Sequence, residues 1–69
     1  MTDLRMLTYE IESSGLKVVT LCERAGIKRG TFYARMNGTG EFTASEIDGL
    51  SRALHLTKKR RDDIFFAKG

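Results

Sequence analysis

Residues 16–38 read LKVVTLCERAGIKRGTFYARMNG, and the reading of this stretch decides the fold. Its apolar residues recur at helical spacing, Gly26 interrupts it midway, and Asn37-Gly38 closes it. Glycine most readily takes the left-handed conformation that stops a helix, so two short helices are expected, about 17–25 and 28–37, joined at Gly26. Leu21 faces inward on the first, with Val18 and Cys22 beside it and Leu16 packed just ahead. Taking Phe32 as inward on the second puts Met36 on the same face and brings Ile27 in from the turn. Gly30, Ala34 and Asn37 then point outward, flanked by Thr31 and Tyr33, and Arg29 projects from the first turn. Two helices meeting at a tight glycine-containing turn are the sequence form of a helix-turn-helix.

The same periodicity extends in both directions and predicts three more helices, giving an all-α, compact five-helix bundle. A helix over 3–13 is expected upstream, with Thr2 as N-cap, Leu4, Leu7 and Ile11 on one face, and Gly15 as its left-handed stop. Downstream, the link NGTGEF leads into a helix over 44–54. Thr43-Ala44-Ser45-Glu46 has the form of a capping box, and Phe42 with Ile47 that of a hydrophobic staple. Ile47, Leu50 and Leu54 form the buried stripe, and His55-Leu56 turns the chain. Thr57 caps a last helix that Ile64 and Phe65 anchor. Lys58 to Arg61 place four cations in its first turn, against the helix dipole, so a role outside local helix stability is expected for them.

Length and composition narrow the function classes. Sixty-nine residues make one domain, 1–69, close to the lower limit for a self-sufficient core. A single cysteine, Cys22, rules out an internal disulfide and reads as a small buried residue rather than a redox thiol. The lone histidine, His55, sits in a turn with no serine, cysteine or carboxylate pair at a spacing that suggests a triad or dyad, so an enzyme is not expected. Neither is a metal or cofactor. Gly38-Thr39-Gly40 lacks the strand, glycine spacing and Lys-Ser/Thr ending of a phosphate loop. The opening MTDLRMLTYEIE carries acids and no continuous apolar run, so neither a signal peptide nor a membrane span is expected, and the cytoplasm is the expected compartment.

Charge is unevenly placed. The chain nets +3 overall, yet residues 1–16 net −2, residues 17–39 net +4 and the remainder nets +1, from Arg5 against Asp3, Glu10 and Glu12 in the first and Lys17, Arg24, Lys28, Arg29 and Arg35 against Glu23 in the second. A reader of duplex DNA needs cations for phosphates, a helix whose exposed face enters the major groove, and a second helix fixing its angle. The 16–38 stretch meets all three requirements. Arg29 is the best candidate for a bidentate contact to guanine; Thr31 and Ala34 suit thymine methyls, and Tyr33 a base edge or phosphate.

GLKVVTLCERAGIKRGTFYARMNG, followed by EFTASEI and closing with DDIFF, resembles the phage Cro and repressor group of helix-turn-helix proteins, the XRE type, over nearly the whole chain. The resemblance implies a lambda-repressor-like DNA-binding domain with the second helix of the pair in the major groove. It places base-reading positions on Arg29, Gly30, Thr31, Tyr33 and Ala34. Phosphate contacts are implied at Lys28, at Lys17 where the first helix of the pair begins, and along the link at Asn37, Thr39 and Thr43. The implied partner is a double-stranded DNA operator, usually bound by a homodimer on a two-fold site; with no further domain, the dimer surface is expected at Ile64, Phe65 and Phe66. Lys17-Val18 stands where relatives carry Thr-Gln, Lys28 replaces a capping serine, and Gly30 and Ala34 replace long polar readers. A second expectation is therefore an antirepressor or modulator that uses the same fold to bind a partner repressor protein.

Overall fold

The computed structural model describes residues 1–68, which form five α-helices and no strand: α1 (Leu4–Ser14), α2 (Val18–Ala25), α3 (Arg29–Met36), α4 (Ala44–Ala53) and α5 (Lys58–Phe65). None is long and apolar enough to cross a membrane. One core is shared by all five, built on Leu7, Leu21, Cys22, Ile27, Phe32, Phe42, Ile47, Leu50, Ala53, Ile64 and Phe65. Burying a side chain of this kind contributes roughly 1.5–3 kcal/mol, and that is what holds helices of eight to eleven residues together, since isolated helices so short are marginal in water.

The helix starts are set by local chemistry, with one shift from expectation. Asp3, not Thr2, caps α1: its Oδ1 accepts the N–H groups of Arg5 at 3.1 Å and Met6 at 3.0 Å. Both residue types cap well, and tertiary structure decides between them, because the Asp3 N–H donates to the Ile64 carbonyl at 2.6 Å and ties the start of α1 to α5. The capping box at α4 forms as expected, and Thr57 caps α5 through the Arg60 N–H. Lys17, Lys28 and Asn37 lie at helix caps rather than inside the helices. On α1 only Leu7 is fully buried; Leu4 and Ile11 pack at the edge of the core.

The largest helix contact is α2 on α4, and Gly49 makes it possible. A Cβ at this buried position would run into the Ala25 carbonyl oxygen, with the Ala25 carbonyl carbon at 3.0 Å. No side chain fits between the two backbones there.

Three of the four cations at the start of α5 meet acids of the protein itself, and the Arg60 pair to α1 is a role beyond local helix stability of the kind expected for the run, whereas Lys58 is exposed with no ion pair among the described residues. Lys59 pairs with Asp63 one turn on at 3.1 Å, Arg61 with Asp62 at 2.9 Å, and Arg60 reaches Glu10 of α1 at 2.9 Å. Arg60 and Glu10 are each about two-thirds or more buried and pin α5 to α1, whereas the Lys59 pair is exposed and worth a few tenths of a kcal/mol. A correction concerns the expected dimer surface. Ile64 and Phe65 are 0% and 3% exposed inside the monomer, with Phe65 edge-on to Phe42 at 5.6 Å, so of the three residues only Phe66 remains on the surface.

Candidate functional site

α2 and α3 are joined by a turn that the sequence specifies closely. Gly26 sits at φ 72°, its N–H donates to the Glu23 carbonyl at 3.3 Å, and the Ile27 N–H donates to the Cys22 carbonyl at 3.0 Å. This is the Schellman arrangement, in which a left-handed residue satisfies the last carbonyls and the next residue packs inward. Ile27 does so and is buried. The chain then extends through Lys28, at φ −68° and ψ 139°, into α3.

The start of α3 carries no cap from Lys28, and the start of α2 none from Lys17. A lysine side chain has only donors, so it cannot accept the open first-turn N–H groups. Both lysines are exposed, as are Arg24 and Arg29, and among the described residues none of these four has a carboxylate within ion-pairing distance. The ion pairs lie elsewhere and engage Arg35, Arg52, Lys59, Arg60 and Arg61. Open amides and unneutralised cations therefore coincide on α2 and α3, the combination that attracts anions.

On α3, Arg29, Gly30 and Tyr33 are exposed, and Thr31 and Ala34 are half-buried. At about 100° per residue, Arg29, Tyr33, Asn37, Gly30 and Ala34 share an arc of roughly 140°, and Thr31 falls outside it beside Arg35. Four of the five expected base readers are thus brought onto one face. Tyr33 stands half out of the surface, 51% exposed, its ring edge-on to the buried Phe32 at 5.7 Å. Its hydroxyl has no partner among the described residues. Nothing lies within 4 Å of where a Cβ at Gly30 would be, so this glycine leaves an open, flat place on the face.

Of the expected phosphate contacts, Lys17, Lys28, Asn37, Thr39 and Thr43 are all exposed. Thr43 is already occupied as a cap, its Oγ1 accepting the Glu46 N–H at 3.3 Å and sharing a hydrogen bond with the Ser45 hydroxyl at 3.3 Å. Arg35 belongs to a different set from the other cations of residues 17–39. Its Nε donates to Glu46 Oε1 at 3.2 Å, and that carboxylate also accepts the Thr43 N–H at 2.9 Å. Burial raises the pKa of the Glu46 carboxyl, but the Thr43 N–H and the Arg35 guanidinium outweigh it and hold the group below its ordinary value. The sequence signals Glu46 as part of the capping box, whereas its pairing with Arg35 depends on the fold.

Cys22 is 2% exposed, and burial pushes its thiol pKa up with only a partial offset from Arg29, so it packs as a small apolar residue and presents no thiolate. His55 is an exposed turn residue at φ 54° that ends α4, with Leu56 packed behind it. Among the described residues no group of three or more His, Cys, Asp or Glu side chains is placed to hold a metal ion. Beside α3 runs a mostly apolar groove of about 270 Å³, formed by Ile11, Val18, Phe32, Tyr33 and Met36 with Thr8 and Glu12 at its edge. No protein-family model, no curated protein and no solved structure matches this chain.

Proposed function

We propose that this chain is a sequence-specific DNA-binding regulator of transcription in which α2 and α3 act as a helix-turn-helix, as in the Cro and repressor group it resembles. One observation carries the reading: the two helices without a side-chain cap are the two whose N-cap residue is a lysine, and around them lie four cations with no acid partner among the described residues. Such helix starts lose local stability, and a polyanion bound against them would offset the loss. α3 enters the major groove with the Arg29, Tyr33, Asn37, Gly30 and Ala34 face; α2 sets its angle through the Gly49 crossing. Arg29 reads guanine, Tyr33 a base edge, and Gly30 and Ala34 allow close approach. Lys17 and Lys28 take phosphates on either side. Two copies on a two-fold operator would meet through Phe66, which is 59% exposed.

A second reading is favoured by the apolar groove beside Tyr33, which suits an apolar protein side chain better than a phosphate. In it the chain binds a repressor protein rather than an operator. Selection of bound duplexes from a random pool at two salt concentrations separates the two. The regulator reading expects a short enriched motif and a steep salt dependence, with Arg29→Ala relaxing preference at one base pair by about 1–3 kcal/mol and Lys28→Ala weakening all sequences alike and lowering the salt slope by about 0.9. No enriched motif, together with binding lost by physiological salt, would overturn it in favour of the protein partner.

A further inference from the structure

Residues 37–43 join α3 to α4 and contain Asn37, Thr39 and Thr43. They also contain two glycines in the left-handed region, Gly38 at φ 85° and Gly40 at φ 77°, and only Phe42 is buried. A link of this composition is flexible unless something holds it. Its start is held by the Gly38 and Thr39 N–H groups, which donate to the Arg35 and Ala34 carbonyls at 3.0 and 2.8 Å, its end by the buried Phe42, and one side chain ties the two together. Arg35, in the last turn of α3, donates from Nε to Glu46 and from Nη1 to the Thr39 carbonyl at 3.4 Å. Glu46 in turn holds the Thr43 N–H, so a single guanidinium joins α3, the middle of the link and the first turn of α4. Gly40 lies directly beneath it: a Cβ there would stand 2.7 Å from Nη1. The Arg35 and Glu46 side chains are 23% and 15% exposed, so the pair is largely shielded from solvent and salt.

Arg35 differs in this from Lys17, Lys28 and Arg29. Its charge is met inside the protein, and its two donor nitrogens point at two fixed acceptors, a job that the planar guanidinium suits and a single ammonium does not. We propose that Arg35 is a positioning residue that clamps the 37–43 link through Glu46 and the Thr39 carbonyl, so that Asn37, Thr39 and Thr43 meet the DNA backbone at a fixed spacing from Arg29 and Tyr33, while Arg35 itself touches no phosphate. The proposal rests on the DNA reading above and adds to it a division of labour among the cations of residues 17–39: four face outward, and the fifth organises.

The test compares wild type, Arg35→Met, Arg35→Lys and, as a true phosphate ligand, Lys28→Ala. Each is titrated with a mixed-sequence duplex over a series of salt concentrations, and amide hydrogen exchange is followed across residues 38–43 in the free proteins. A positioning role predicts that Arg35→Met speeds exchange in the link and weakens duplex binding about tenfold at an unchanged salt slope, whereas Lys28→Ala lowers the slope by about 0.9 and leaves link exchange alone. Arg35→Lys, which keeps the charge and one donor, falls between wild type and Arg35→Met in both readouts and serves if Arg35→Met does not fold. A slope lowered by Arg35→Met with link exchange unchanged would show a direct phosphate contact and overturn the proposal, as would wild-type behaviour in both readouts. Should wild type itself bind no duplex at any salt, the DNA reading fails and the positioning role with it, while the exchange data decide separately whether Arg35 clamps the link.

Discussion

Helices α1, α4 and α5 begin on Asp3, Thr43 and Thr57, whose side chains accept first-turn amides, whereas α2 and α3 begin on Lys17 and Lys28, whose side chains accept nothing. Charge divides in a similar way, with Arg5 on α1 and Lys58 on α5 as exceptions, exposed and unpaired among the described residues. Arg52, Lys59, Arg60 and Arg61 on α4 and α5 are paired, while Lys17, Arg24, Lys28 and Arg29 around α2 and α3 have no acid partner among the described residues. A missing cap costs about 1 kcal/mol and a cation in the first turn a few tenths more, so the α2–α3 unit is weak by its own local chemistry. Its stability comes from elsewhere, from Leu21, Cys22, Ile27 and Phe32 in the core and from the close crossing onto α4. The frame meets most of its own charges and helix starts, with Arg5, Lys58 and the buried Ser51 hydroxyl left without a partner among the described residues; the α2–α3 unit is held by the frame and leaves its helix-start amides and four cations open to a partner.

The largest expected effect sits where the two halves meet. Gly49→Ala forces a methyl against the Ala25 backbone, which no rotamer change relieves, and is expected to destabilise by about 2–3 kcal/mol in urea or thermal unfolding. Gly30→Ala, in the other half, meets open space and removes a glycine from a helix, so it is expected to gain about 0.5–1 kcal/mol and yet to weaken duplex binding by thickening the face of α3. Opposite signs for the two substitutions in the same assay sharpen the distinction between the halves; equal losses would break it.

These two glycines also show what can and cannot be read from a chain like this one. Local signals are legible: Gly15 and Gly26 stop helices, Thr43 and Glu46 build a capping box, and the 100° spacing puts Arg29, Gly30 and Tyr33 outside and Phe32 inside. Each depends on residues within one turn of each other. Gly49 gave no such signal, because its necessity comes from Ala25 on another helix. Long range also decides that Asp3 rather than Thr2 caps α1, through the Ile64 carbonyl, and that Arg60 is matched by Glu10. Ile64 and Phe65 followed the periodicity that anchors α5, and the same anchoring removes them from any outer surface. At the candidate site, Thr31 drops off the reading arc by simple geometry, while the distinction between Arg35 and its neighbours appears only once Glu46 is folded against it.

Next in size is the contrast between caps. Thr43→Ala removes the oxygen that accepts the Glu46 N–H and is expected to cost about 1 kcal/mol of stability. Lys28→Ser supplies an oxygen where α3 has none and removes a charge from its first turn, so it is expected to raise stability by roughly 0.5–1 kcal/mol while lowering duplex affinity and the salt slope. A stabilised protein that binds DNA less well is what a helix start kept open for phosphate requires. Unchanged affinity in Lys28→Ser would mean that the missing cap at α3 serves no binding function.

The smallest effect is one of pH, and it isolates Glu46, the one acid among the described residues that pairs across the two halves. Glu46 has a carboxyl held below its ordinary value in the folded protein, the Thr43 N–H and Arg35 outweighing the cost of its burial. As pH falls, the unfolded chain takes up this proton before the folded one, so the stabilisation is complete above the unfolded value near 4.5 and is lost as pH drops through the lower folded value. Wild type should therefore lose part of its stability as pH falls below about 5 in a way that Glu46→Gln does not, once both are corrected for the common acid denaturation of the remaining carboxylates. The difference is modest because it comes from one carboxylate, whose burial offsets part of what the Thr43 N–H and Arg35 contribute. Its direction is the informative part. If Glu46→Gln and wild type lost stability in parallel below that pH, the Arg35–Glu46 pair would contribute nothing as a charged pair, and the link between α3 and α4 would owe its shape to the Thr43 capping box, the buried Phe42 and the Gly38 and Thr39 hydrogen bonds.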